Sequence, residues 1–256
     1  MQFIDTHTHI FLSDFNDDRD TIIKNAQTEG VVKMLLPNVD SSTIKQLSDT
    51  VEKYPNYCFP AVGLHPTSVN KDYSSELQIV EQYLNSNKVY AIGEIGIDLY
   101  WDKTYLKEQE TVFRHQINLA KAHNLPIIIH ARDSFNEIFN ILDDINDNKL
   151  TGVFHAFTGN KEQANKIIDL GFKIGLGGIL TFKNSGLDKV VSDIDIKNIV
   201  LETDSPYLAP TPKRGKRNES AYIKYIANKL AEIKEISIKE VAEITTNNAE
   251  QLFKLS

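Results

Sequence analysis

Eight short apolar runs alternate with amphipathic stretches along the whole chain, and that rhythm limits the folds open to it. The runs are Phe3–Thr6, Val31–Asn38, Cys58–His65, Val89–Ile97, Pro126–His130, Gly152–Phe157, Phe172–Gly178 and Asn198–Asp204. Most are rich in Val and Ile and lack polar alternation, as parallel strands covered on both faces do. Between them, helical spacing of apolar residues predicts helices over Asp17–Gly30, Ser42–Tyr54, Ser75–Asn85, Tyr105–Asn124, Ser134–Asn146, Asn160–Gly171 and Lys183–Ser192, and two more over Glu219–Ile233 and Ser237–Leu252 close the chain. The runs recur about every 28 residues, which suits βα units. Eight such units in 256 residues, without a break in composition, predict an α/β protein: one (β/α)8 TIM barrel over residues 1–256, its active site at the C-terminal mouth of the strands. An open, doubly wound sheet is the alternative.

Polar residues collect where these strands end. His7 and His9 close the first, in Asp5-Thr6-His7-Thr8-His9, where alternation aims both imidazoles one way with Asp5 behind them. His65 ends the third strand, Glu94 lies in the fourth, and His130, His155 and Asp204 end the fifth, sixth and eighth. Ile128, Val153 and Val200, two positions earlier or four, would fill the layer beneath. One histidine pair says little; histidines at the ends of four different strands point to metal. The other two histidines, His115 and His123, fall within a helix. Four imidazoles and two carboxylates (His7, His9, His130, His155, Glu94, Asp204) exceed the three protein ligands of a single catalytic zinc. They suit two divalent ions, with Glu94 as the bridge because its strand lies between the two histidine groups. Such a shell accepts Mg, Mn or Zn.

The net charge of −7 argues against a protein that coats nucleic acid through a broad basic surface, although a metal site and a few cations can engage a polyanion locally. One cysteine, Cys58, excludes an internal disulfide and any multi-cysteine zinc site. No apolar run is long enough to span a membrane, and no basic-then-apolar leader precedes the first strand, so a cytoplasmic monomer without an obligate protein partner is expected.

The motifs resemble the TatD family of metal-dependent deoxyribonucleases, amidohydrolase-like barrels, over essentially the whole chain. They are Asp5-Thr6-His7-Thr8-His9, Val62-Gly63-Leu64-His65-Pro66, Gly93-Glu94-Ile95-Gly96-Ile97-Asp98, His130-Ala131-Arg132-Asp133, His155-Ala156-Phe157-Thr158-Gly159, Glu202-Thr203-Asp204-Ser205-Pro206-Tyr207-Leu208 and Arg214-Gly215-Lys216-Arg217-Asn218-Glu219. The resemblance implies one ion held by His7, His9, Glu94 and Asp204 and a second by Glu94, His130 and His155, with His65 facing the scissile phosphate. Ala156 departs from the Ser or Cys common in relatives. No lysine stands where some amidohydrolases carry a carboxylated bridge, which disfavours dihydroorotase-like or urease-like chemistry.

The expected reaction is hydrolysis of DNA phosphodiesters from an end, trimming single strands or strand ends by water that two metal ions activate. Asp204 would accept that water's proton. His65, Glu94 and Asp204 are thus the expected catalytic residues, and His65, Arg132 and Arg214 the expected substrate contacts. Arg132 could instead pair with Asp133. Glu202 would either orient the shell or form an internal ion pair. The basic cluster Lys213-Arg214-Gly215-Lys216-Arg217 offers a polyanion dock, with Arg214 and Asn218 also able to stitch that loop down. Tyr100 and Trp101 could stack on a base or pack within their loop. The competing readings are a hydrolase of another ester or amide on the same barrel, and a metal-binding module without catalysis.

Overall fold

Strands that are apolar on both faces need cover on both. A computed structural model, which describes residues 1–147 and 149–255, shows how that cover is supplied. The strands are β1 (Phe3–Asp5), β2 (Val31–Pro37), β3 (Cys58–Val62), β4 (Ala91–Asp98), β5 (Ile127–Arg132), β6 (Gly152–Phe154), β7 (Lys173–Leu176) and β8 (Ile199–Leu201). Each pairs in parallel with the next. The β1–β8 seam is drawn together by Thr6 N–H to Leu201 O (3.1 Å), Asp204 N–H to His7 O (2.9 Å) and a parallel bridge between Thr8 and Ser205. The result is a nearly closed barrel, and the open-sheet alternative is set aside.

The helices are α1 (Arg19–Thr28), α2 (Ser41–Lys53), α3 (Tyr73–Ser86), α4 (Leu106–His123), α5 (Phe135–Ile145), α6 (Lys161–Asp169), α7 (Leu187–Ser192), α8 (Ile223–Lys234) and α9 (Ile238–Phe253). Asp40, Asn160 and Ser237 start α2, α6 and α9 with reciprocal capping boxes. The expected α7 starts late, at Leu187, because Gly186 before it sits at φ +68° and cannot continue a right-handed helix. Among the described residues, no helix is long and apolar enough to cross a membrane.

Two apolar layers follow from this arrangement. Outside the sheet, Ile22, Ile23 and Ala26 of α1, Phe113, Ile117 and Ala120 of α4, and Ile138, Ile141 and Leu142 of α5 pack on the outward strand residues. Inside, Ile4, Leu35, Ala61, Ala91, Ile128, Val153 and Val200 form a second cluster. Ala249, Phe253 and Leu255 from the C-terminal end of the chain join it. Ile128, Val153 and Val200 thus fill the layer under the histidines, as expected. Cys58, the first residue of β3, is buried, and burial pushes its thiol up to about 12.

Several strands end earlier than their apolar runs. His65 lies three residues past β3, where it caps a short 3-10 turn at Pro66–Ser68. Asp204 lies three residues past β8, with φ +55°. The chain leaves the extended conformation at the mouth so that polar side chains can turn inward. We expect Ile128→Ala, which empties part of the barrel interior, to cost about 2–5 kcal/mol of unfolding free energy. Urea denaturation checks this; a change near zero would mean that the interior is not close-packed.

Candidate metal centre

The centre is built on Glu94, in the middle of β4. Gly96 follows at φ +145°, and a β-carbon there would lie 2.1 Å from His130 O. Only glycine lets β4 press this closely on β5, beside the histidine that faces Glu94. His7 and His9 lie past the end of β1, yet the alternation carries on. Thr6 N–H is held by β8 and Thr8 N–H donates to Leu35 O of β2 (3.0 Å). His7 between them and His9 after them therefore point to one side.

Each Glu94 oxygen faces a different set of atoms. Oε2 lies 3.1 Å from His7 Nε2 and 3.7 Å from His9 Nε2. Asp204 Oδ1 completes that set, 3.8 Å from His7 Nε2 and 3.5 Å from His9 Nε2. Oε1 lies 2.6 Å from His155 Nε2, 2.7 Å from His130 Nδ1 and 3.2 Å from His65 Nε2. Ligands about 2.0–2.2 Å from one ion in a tetrahedral shell lie about 3.2–3.6 Å apart, close to the spacings of the Oε2 set, whereas His155 and His130 approach Oε1 at hydrogen-bond length.

The outer ring atoms reveal which imidazoles can be ligands. His9 Nδ1 faces the Pro37 carbonyl at 3.1 Å. A carbonyl only accepts, so the proton is on Nδ1 and a lone pair is left on Nε2. That lone pair lies 3.2 Å from His7 Nε2, an approach that a shared cation satisfies. His130 Nε2 donates to Asp98 Oδ2 (2.9 Å), which leaves the Nδ1 lone pair toward Glu94. His65 is the reverse case. Thr67 N–H donates to its Nδ1 (3.1 Å), so the neutral ring carries its proton on Nε2 and presents a donor to the centre. The donor set of imidazole lone pairs and carboxylates around Glu94 fits divalent cations.

Burial alone would raise the Glu94 carboxyl, but His155, His65 and His7 opposite it hold it well below the usual range. Burial would likewise depress His155, yet Glu94 and Glu202 raise it well above an ordinary imidazole. His7 is lowered by burial and by repulsion from His155. Burial lifts Asp204, but His9 and His7 more than offset this, and it stays below the carboxylate norm. Both shifts favour a protonated His155 facing an ionised Glu94.

Other expected residues fall in different places. Asp5 does not face the cluster. Its carboxylate accepts from Thr203 N–H (2.9 Å) and the Thr203 hydroxyl (2.6 Å), and burial raises it to about 7 against those bonds and others from Ser220 and the His7 backbone. Glu202 Oε1 accepts from Ala156 N–H (2.6 Å) and lies 3.6 Å from His155 Nδ1, beyond hydrogen-bond reach, so it acts on that imidazole through its charge. Arg132 lines the cleft above the centre, a space of about 460 Å³. Among the described residues it forms no ion pair with Asp133; its guanidinium lies over Tyr100, 3.9 Å from the ring centre. Arg214 lies over Phe182 (3.7 Å), outside that cleft, because the ring face offers its cation a partner. The stitching falls instead to Arg217, which pairs with Asp18 (2.6 Å), and to Asn218, which donates to Thr203 O (2.7 Å) and Tyr207 O (2.6 Å). His115 pairs with Glu81 (2.7 Å) away from the site. Asp98 and Tyr207 were not singled out from sequence; Asp98, four residues beyond Glu94 on one strand, carried the spacing that could have found it.

A family model described as TatD related DNase matches residues 4–254. The chain is 39% identical over 253 residues to a Bacillus subtilis (strain 168) protein named uncharacterized metal-dependent hydrolase YabD, covering 98% of this chain and 99% of that one. It is 32% identical over 260 residues to Escherichia coli (strain K12) YcfH, which bears the same description, covering 100% and 97%. Among solved structures, the Escherichia coli K12 TatD homologue YjjV superposes with a TM-score of 0.92 at 29% identity, covering 98% of both chains.

Metal entry should displace the proton that His155 directs at Glu94. Because that imidazole is raised, affinity for Zn²⁺ or Mn²⁺ is expected to climb as pH rises through the neutral range. Calorimetry near pH 7 in buffers of different ionisation enthalpy should show net proton release. Binding that is independent of pH and releases no proton would contradict the charge arrangement.

Proposed function

Since the chain belongs to the TatD-related DNase family, we propose that it is a metal-dependent hydrolase of phosphodiester bonds in DNA, acting on single strands or strand ends. The observation that carries this reading is the division of Glu94, whose two oxygens face separate ligand sets at the floor of an open cleft. His7, His9, Glu94 and Asp204 would hold one divalent ion, and Glu94, His130 and His155 a second. Mg, Mn or Zn bound there would polarise the phosphoryl oxygens and acidify water.

The chain's own groups supply the remainder. Asp204 lines the cleft and is ionised, so it is the base that takes the proton of attacking water. His65 carries its Nε2 proton toward the centre and donates it in a hydrogen bond to a phosphoryl oxygen. Arg132 adds a permanent positive charge on the same wall. Asp98 keeps His130 aimed at Glu94, and the Glu202 charge lies behind His155. A net charge of −7 leaves the attraction for a polyanion to this mouth.

Purified protein should cleave a labelled single-stranded oligodeoxynucleotide with added Mg²⁺ or Mn²⁺ and stop on chelation; turnover indifferent to EDTA would refute metal dependence. Asp204→Asn should lower kcat by about 10²–10⁴-fold with the thermal transition preserved, and near-wild-type turnover would remove Asp204 from its role. Parallel assays on lactones, amides and small phosphoesters test the substrate class, because turnover of those alone would replace DNA. His65→Ala should cost about 10²–10³-fold in kcat while both ions stay bound. Loss of one ion from that variant, read by elemental analysis, would make His65 a ligand.

A further inference from the structure

The mouth of the metal cleft exposes aromatic surface that the chemistry above leaves unused. Trp101 is 69% exposed, and six large hydrophobic side chains are exposed among the described residues. Three of them, Trp101, Tyr207 and Leu208, line this cleft, and a fourth, Tyr100, lies under Arg132. Burying an indole lowers free energy, so one held in water beside a reaction site is available for a ligand.

The local structure holds it in place. Asp98 Oδ1 accepts from the backbone N–H of Tyr100 (2.9 Å) and of Trp101 (3.1 Å), while Oδ2 accepts from His130. One buried carboxylate therefore ties the aromatic turn to a metal-facing imidazole. Tyr100 and Trp101 meet edge to face, with ring centres 5.1 Å apart. The Arg132 guanidinium lies 3.9 Å from the Tyr100 centre and 5.4 Å from that of Trp101. A flat apolar face next to a cationic fork, both on the wall of the cleft, matches a flat ring joined to an anion.

We propose that Trp101 is a stacking platform for a nucleobase next to the scissile phosphate, with Arg132 contacting a neighbouring phosphate. Trp101 is then a specificity-determining residue that selects base-bearing strands over bare phosphodiesters. This rests on the nucleic-acid reading above. A stacked base must be unpaired on that face, so the platform favours single strands and frayed ends.

Trp101 is the chain's only tryptophan, so its emission reports on this position alone. Hexathymidylate and an abasic hexamer of equal charge are titrated into the protein with Ca²⁺ replacing Mn²⁺. The thymidylate strand should quench or shift the emission; the abasic strand should not. By a label-independent binding assay, the preference for thymidylate over the abasic strand should fall about 5- to 100-fold in Trp101→Ala and return in Trp101→Phe. Emission unmoved by saturating hexathymidylate, or a preference unchanged in Trp101→Ala, overturns the proposal. Cleavage of both strands with Mn²⁺ is scored in parallel. Cleavage with unmoved emission removes the platform and keeps the nuclease. Base-dependent quenching with no cleavage of either strand keeps the platform as a binding site and removes the nuclease.

Discussion

A carboxylate that is 3% exposed, as Glu94 is, stays ionised only where positive charge reaches it. Its two oxygens meet imidazoles from the ends of β1, β3, β5 and β6. Those segments are distant in sequence, and only the curled parallel sheet brings their ends to one point. Closure of the barrel and assembly of the centre are one event at the seam. Asp204 N–H bonds His7 O across it, and the same two residues stand on one side of Glu94. An open sheet would part them, leaving a buried charge without its partners, a state that costs several kcal/mol.

Identical side chains do different work here because their outer nitrogens meet different partners. A carbonyl behind His9 and a carboxylate behind His130 each take up a ring proton and leave a lone pair toward the centre. A backbone N–H behind His65 does the opposite. The distinction between a ring that presents a lone pair and one that presents a proton is therefore set by Pro37, Asp98 and Thr67, which stand behind the rings. Asp98 does more, since its second oxygen fixes the turn that carries Tyr100 and Trp101.

The apolar rhythm of the chain made the barrel legible, because strands covered on both faces and a βα spacing of about 28 residues leave few alternatives. The residues that gather around Glu94 were legible too, as polar groups that end apolar runs. What stayed hidden depends on backbone geometry. Asp98 stands four residues beyond Glu94 on β4, but its partnership with His130 comes from the register of β4 against β5, in which Asp98 pairs with Arg132, and neither strand alone displays it. Asp5 was placed behind the histidines by alternation, yet its carboxylate turns across the seam to Thr203. Charge spacing could not tell Arg214 from Arg217. The first found a phenyl face and the second a carboxylate, a choice made by tertiary neighbours.

Asp204 shows how the fold sustains an unfavourable backbone state at a residue of the cleft wall. A non-glycine residue at φ +55° costs of order 1 kcal/mol, so its neighbours must hold it there. Thr203 is bound through its N–H and hydroxyl to Asp5, and Ser205 shares a 2.6 Å hydroxyl contact with Thr8. Asn218 reaches back to carbonyls on both sides, at Thr203 and Tyr207. Each anchor lies outside the cleft, and together they fix both flanks of one residue. With its backbone fixed from behind, the carboxylate need not reorganise to face His7 and His9, and preorganised charge of this kind is what lowers a barrier.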